Sequence, residues 1–188
     1  KRVAIFSTAV GLLVFGIIGI YKIEISGSLI EDMPQKAEFF KDIRYFEKEF
    51  EGIMPLEILV NTKRKKGVMS PATLKRMEEL QVYIDEQPEL SKSISVVNLV
   101  KYAKQAYYNG NPDYYQLPNT QERSFILSYM NNAKQSDNLL ESYVDSTGQY
   151  ARITTYMKDT TTDEYNELEE NLLKEIHKVF PEDRFEVT

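Results

Sequence analysis

The chain has 188 residues, 23 Lys+Arg against 29 Asp+Glu, a net charge of −6 and no cysteine. This acidic balance argues against a nucleic-acid binder. The lack of cysteine excludes disulfides and thiol catalysis without identifying a compartment.

From Val3 to Ile20 there is no charge, Asn, Gln or Pro. Eighteen residues at helical rise give a rod of about 27 Å, enough for a hydrocarbon core. Gly11, Gly16 and Gly19 would be costly in a soluble helix but are common in membrane helices. The run is long for a signal peptide, and Tyr21, Lys22, Ile23 and Glu24 follow it rather than a small-x-small cleavage site. Residues 1–22 are therefore expected to be a retained transmembrane helix. Lys1 and Arg2 precede it, while Glu24, Glu31 and Asp32 follow, so the positive-inside rule places the N-terminus in the cytoplasm and the rest outside.

Residues 23–54 form a connector and an amphipathic helix, with Pro34 closing the connector. The helix is expected over Gln35–Phe50, with Phe39, Ile43, Phe46 and Phe50 as its inward stripe and Gly52 as its stop. "PLEILVNT" (55–62) reads as a strand, and Leu59 suggests burial of both faces. "KRKKG" is a turn. Ser70-Pro71 supplies an N-cap and a first-turn proline for a helix over 71–87, with Leu74, Met77, Leu80, Gln81 and Ile84 inward. A short strand near Ile94 leads into a helix with Val96, Val100, Ala103 and Tyr107 on one face. A Gly/Pro/Asn-rich loop follows, and then a helix in "QERSFILSYMNNA", with Phe125, Ile126, Tyr129, Met130 and Ala133 apolar.

Asp145-Ser-Thr-Gly148 reads as the turn of a hairpin with strands near 140–144 and 149–157. Thr161 and Glu164 form a capping box for a helix with Tyr165, Leu168, Leu172, Ile176 and Val179 inward, stopped by Pro181. "RFEVT" begins a last strand. With a helical insert at about 97–138 set aside, the order strand, helix, strand, strand, helix, strand is the split β-α-β, ferredoxin-like pattern. The expected fold class is α+β, with residues 55–188 as that domain and both long helices on one sheet face.

No catalytic set is legible. His177, the only histidine, has no second imidazole or thiolate to complete a metal or catalytic site and reads as a surface or packing residue. No Gly-rich phosphate loop is present. Glu78, Glu79, Glu167, Glu169 and Glu170 read as solvated. Lys63-Arg64-Lys65-Lys66 reads first as a solvated loop and second as a contact for anionic headgroups or an acidic partner. The aromatic run Tyr102, Tyr107, Tyr108, Tyr114 and Tyr115 is the most suggestive feature. Rings with an apolar body and a polar tip suit a partly wet groove for amphipathic ligand; the plainer reading is that they pack the insert onto the sheet. No enzyme, cofactor or metal is expected.

The whole chain resembles the start of a resistance–nodulation–division (RND) superfamily exporter, closest to the MMPL/Patched-like "predicted exporter" branch. The residues that carry this are "SGSLIEDMPQKAEFFKDIRYFEKEFEGIMPLEILVNT", "LKRMEELQVYIDEQPELSKSISVVNLVK", "YVDSTGQYARITTYMKD" and "FEVT". The resemblance implies a first transmembrane helix plus a first periplasmic porter subdomain, in the bacterial inner membrane. It implies partners in the lipid bilayer, in a hydrophobic or amphipathic substrate (lipid among them), and in further transmembrane helices and a second porter subdomain of the same chain, with homo-oligomerisation open. Transport in the family is typically driven by a proton or ion gradient, through residues in later helices. A SecDF-type translocation factor and a singly anchored binding or sensor domain are the alternatives.

Overall fold

The computed structural model describes residues 2–22, 34, 37–132 and 139–188. Helix α1 spans Arg2–Tyr21. Apolar side chains such as Phe6, Leu12, Phe15 and Ile20 lie exposed on it, with no polar stripe. Among the described residues no helix is long and apolar enough to cross a membrane. The expected segment is thus a helix, and its membrane crossing gains no support from the structure. The connector at 23–33 lies outside the described residues.

Helix α2 runs Glu38–Phe50. Its expected inward stripe is not buried. Phe39, Phe46 and Phe50 are exposed, and Phe46 stacks on Phe50 at 5.5 Å along the helix's own surface. The buried ring is Phe40, with the Arg44 guanidinium 5.2 Å from its centroid. The repeat is real, but periodicity shows which residues share a face, not which face is covered. Glu51, not Gly52, takes the left-handed C-cap at φ 58°. Gly52 instead lies against the backbone of Tyr156, where a Cβ would come within 2.8 Å of the carbonyl. Ile53 N–H then donates to Met157 O, which starts strand pairing.

The sheet has four strands: β1 (Met54–Asn61), β2 (Ile94–Ser95), β3 (Tyr150–Met157) and β4 (Glu186–Val187). Their order is β2-β3-β1-β4, and every neighbouring pair is antiparallel. The β1–β3 register runs from Met54 opposite Met157 to Asn61 opposite Tyr150. It places Ile58, Val60, Ala151, Ile153 and Met157 on one buried face. Helices α3 (Pro71–Asp85), α4 (Val96–Tyr107) and α6 (Thr162–Val179) cover that face. Leu74, Met77, Leu80 and Ile84 meet Leu168, Leu172, Ile176 and Val179 there, so α3 and α6 lie on the same side, as expected. Leu59 is on the other face and is exposed, as are Ile94 and Tyr156, which corrects the expectation of two-sided burial.

The expected helix starts of α3 and α6 hold. Ser70 Oγ accepts from Thr73 N–H, and the Thr161/Glu164 box is closed in both directions. Tyr165, expected inward, is exposed on the first turn of α6. The strand expected at 140–144 is instead a 3-10 turn, Leu139–Ser142, followed by a single bridge from Val144 to Ala151. The edge of β3 away from β1 explains this. Val144, Ser95, Ile94 and Leu90 pair successively along it with Ala151, Ile153, Thr154 and Met157, which leaves two pairs for β2 and one bridge each for Val144 and Leu90. The turn itself forms as read, with Gly148 at φ 68° and its N–H on Asp145 O.

Candidate functional site

The insert is built from α4, a 3-10 turn at Pro112–Tyr114 and α5 (Arg123–Asn132); residues 133–138, including Ala133, lie outside the described residues. Ser95 caps α4 with Asn98 in a reciprocal box. Val96, Val97 and Val100 then face the core.

The five candidate tyrosines form two clusters. Tyr102 and Tyr107 are five residues apart on α4, which is about 140° around a helix. Tyr102 therefore packs on Tyr115, with centroids 4.8 Å apart. Asn98 Nδ2 donates to the Tyr115 hydroxyl at 3.3 Å, and Lys101 Nζ lies 5.6 Å from that ring while bridging to Glu78 at 2.6 Å. Glu78 is thus paired rather than merely solvated. On the other side of α4, Tyr108 stacks on Tyr114 at 4.0 Å. Tyr107 contacts Tyr108, Phe125 and Tyr129, at 5.3, 5.0 and 5.6 Å. These rings tie α4 to the 3-10 turn and to α5 rather than to the sheet. Tyr102 and Tyr107 remain exposed, and Tyr108, Tyr114 and Tyr115 are half-buried.

Beneath the second cluster lies a buried ion pair that the sequence reading missed. Lys104 is 4% exposed, and its Nζ is 2.7 Å from Glu122 Oε2. Glu122 also accepts from Asn119 N–H at 3.0 Å and from the Tyr108 hydroxyl at 3.1 Å. Lys104 holds the Glu122 carboxyl below the ordinary glutamate range; burial opposes this, while the Asn119 and Tyr108 donors reinforce it. Burial, and then the adjoining carboxylate, push the Tyr108 hydroxyl up. The signal in the sequence was the spacing Val96, Val100, Lys104, which continues the inward stripe, and Asn119-x-x-Glu122, which is cap spacing.

A second polar cluster joins α3 to β2. Gln81 Nε2 donates to Asn98 Oδ1 at 2.9 Å and to Ser93, and its Oε1 accepts from Ser95 Oγ at 2.8 Å. Asp85 Oδ1 takes both the N–H and the hydroxyl of Ser93.

His177 is exposed and pairs with Glu182, Nδ1 to Oε1 3.0 Å. Among the described residues no group of His, Cys, Asp or Glu could hold a metal ion. A cleft of 460 Å³ lies on the open sheet face, lined by Phe50, Glu57, Ile94, Arg152, Thr154 and Tyr156 among others. Arg152 and Glu57 pair across it at 2.9 Å. It is separate from the tyrosine clusters. No protein-family model and no curated protein matches the chain.

Proposed function

We propose that this chain is the membrane-anchored porter subdomain of an RND-type exporter. In this reading α1 lies in the bilayer, the α+β domain is a ferredoxin-like porter unit outside it, and the Tyr-rich insert offers a wall for hydrophobic or amphipathic substrate. Work is done by conformational change coupled to a proton or ion gradient, with no bond made or broken in substrate.

The observation that carries this is the strand order β2-β3-β1-β4 with both crossover helices on one face, in a domain that follows an all-round apolar helix. That order supports reading the domain as the split β-α-β plan that the resemblance implies. The membrane placement of α1 rests on the uncharged run Val3–Ile20. The substrate wall rests on the exposed faces of Tyr102 and Tyr107.

The test has two arms. The full chain expressed in bacteria is extracted with alkaline carbonate, and retention in the membrane pellet is expected. A photoactivatable fatty-acid probe is then cross-linked to it and the adducts mapped, with labelling expected at Tyr102 and Tyr107. Release by carbonate would remove the anchor. Labelling spread evenly over the domain would remove the substrate wall and leave a structural insert.

A further inference from the structure

A basic cleft lies away from the tyrosines. Between the β1–α3 loop and the α6–β4 loop is a cleft of 370 Å³. Lys63, Arg64, Arg76 and Arg184 line it, with Asp183 the one lining carboxylate among the described residues. In a chain of net charge −6, this wall carries an excess of three positive charges, four cations less one anion.

Two of the cations are held in place. The Arg76 guanidinium donates to the Val179 carbonyl at the end of α6 and lies 5.8 Å from the Phe185 centroid. Lys63 Nζ donates to Glu182 O at 2.8 Å. A guanidinium has five donors and an ammonium three, so each keeps donors for a ligand. Arg64 has a fixed backbone, its carbonyl accepting from Gly67 N–H and Thr62 Oγ1 at 3.0 and 2.9 Å, and the residue is exposed. Among the described residues the Arg184 side chain pairs with the exposed Asp183 alone, at 3.5 Å. Neighbouring carboxylates are engaged elsewhere, Glu182 with His177 and Glu186 with the Asn61 amide. Thr62, Ser70 and Thr73 add polar lining.

We infer that this cleft binds a phosphate group carried on an organic ester. Arginine's planar fork matches phosphate oxygens bidentately, and the excess of three charges suits a doubly charged anion. The volume exceeds what a bare phosphate fills, which leaves space for the ester's organic part. Lys63 and Arg64 of the basic loop at 63–66 stand on one wall of this cleft. Arg184 is distant in sequence and meets that loop because β4 pairs beside β1, while Arg76 comes from α3, where it reaches the Val179 carbonyl at the end of α6. The inference stands independently of the exporter reading, since it uses neither α1 nor the tyrosines.

The experiment uses the ¹⁵N-labelled full chain in detergent micelles, titrated with inorganic phosphate at constant ionic strength. Saturable shifts are expected at the amides of Thr62, Gly67 and Arg184. The double variant Arg64→Glu/Arg184→Glu changes exposed side chains, and its unshifted core resonances report that it folds. It should weaken phosphate binding by about tenfold or more. A control reversal on α2, Lys41→Glu/Lys48→Glu, should leave it within about twofold. No saturable shift in the wild type, or equal weakening by both double variants, overturns the inference. Adding phosphatidylglycerol or phosphatidylcholine to the micelles separates the sources. Displacement of phosphate by lipid assigns a headgroup, and no displacement assigns a soluble phosphate ester; either upholds the cleft.

Discussion

Replacing Lys104 by Met keeps the length and apolar stem of the side chain and removes the charge. In the folded protein this strands Glu122, whose Oε2 loses a donor at 2.7 Å. Breaking one side of a buried pair costs about 3–5 kcal/mol. The lower end applies here, because Glu122 keeps the Asn119 N–H and the Tyr108 hydroxyl. About 3 kcal/mol corresponds to roughly a hundredfold loss of hydrogen-exchange protection where local opening governs exchange. The amides of α5, Ile126 among them, should show it, while those of β1 and β3 should change far less. The pH dependence carries a sign. A carboxyl held below its ordinary value stabilises the fold fully above that value, about 4.3, and loses the contribution as pH falls through its lower folded value. Wild-type α5 protection should therefore drop on acidification below about 4.3, and Lys104→Met should flatten that drop. A loss of protection under about threefold, or a loss equal across the sheet, would refute the idea that this pair pins the insert.

Gly52→Ala should lower the thermal unfolding midpoint, because the new Cβ meets the Tyr156 carbonyl at 2.8 Å; overpacking against backbone costs about 1–3 kcal/mol. An unchanged midpoint would mean the 51–53 segment shifts freely. Gln81→Leu leaves the buried Ser95 hydroxyl without its acceptor and takes one of two donors from Asn98 Oδ1, which keeps the Ser95 N–H, and should cost about 2 kcal/mol in a urea titration, whereas a neutral result would mean that the Ser95 hydroxyl finds another acceptor. Burial pushes the Asp145 carboxyl up, but the Thr147 hydroxyl and the N–H groups of Tyr150, Thr147 and Gln149 outweigh it and hold the group below its ordinary value. The turn should therefore loosen as pH falls below about 3.9, seen as faster exchange at Tyr150 N–H, and Asp145→Ala should show the looser turn at neutral pH.

Local chemistry was legible from the chain alone. Ser70-Pro71, Thr161-x-x-Glu164 and Asp145 to Gly148 act on backbone within five residues, so their spacing dictates their bonds. The inward stripes of α3 and α6 followed from period 3.6 and, apart from Tyr165, were buried as read. The order of strands and helices also sufficed for the α+β class and for both long helices sharing one face.

Only the tertiary structure decided which apolar faces find a cover and which distant polar groups meet. The stripe Phe39, Phe46, Phe50 and the residue Leu59 have the spacing of buried groups, yet they lie exposed, because burial requires a second surface and not merely a pattern. The strand expected at 140–144 shrank to one bridge, because β3 has one free edge and other segments occupy the rest of it. Lys104 lies on an inward stripe whose partner the chain order does not name until α5 brings Glu122 against it, and Arg184 joins Arg64 only when β4 pairs with β1. Short-range bonds are set by chain geometry, whereas contacts across many residues depend on the packing of the whole domain.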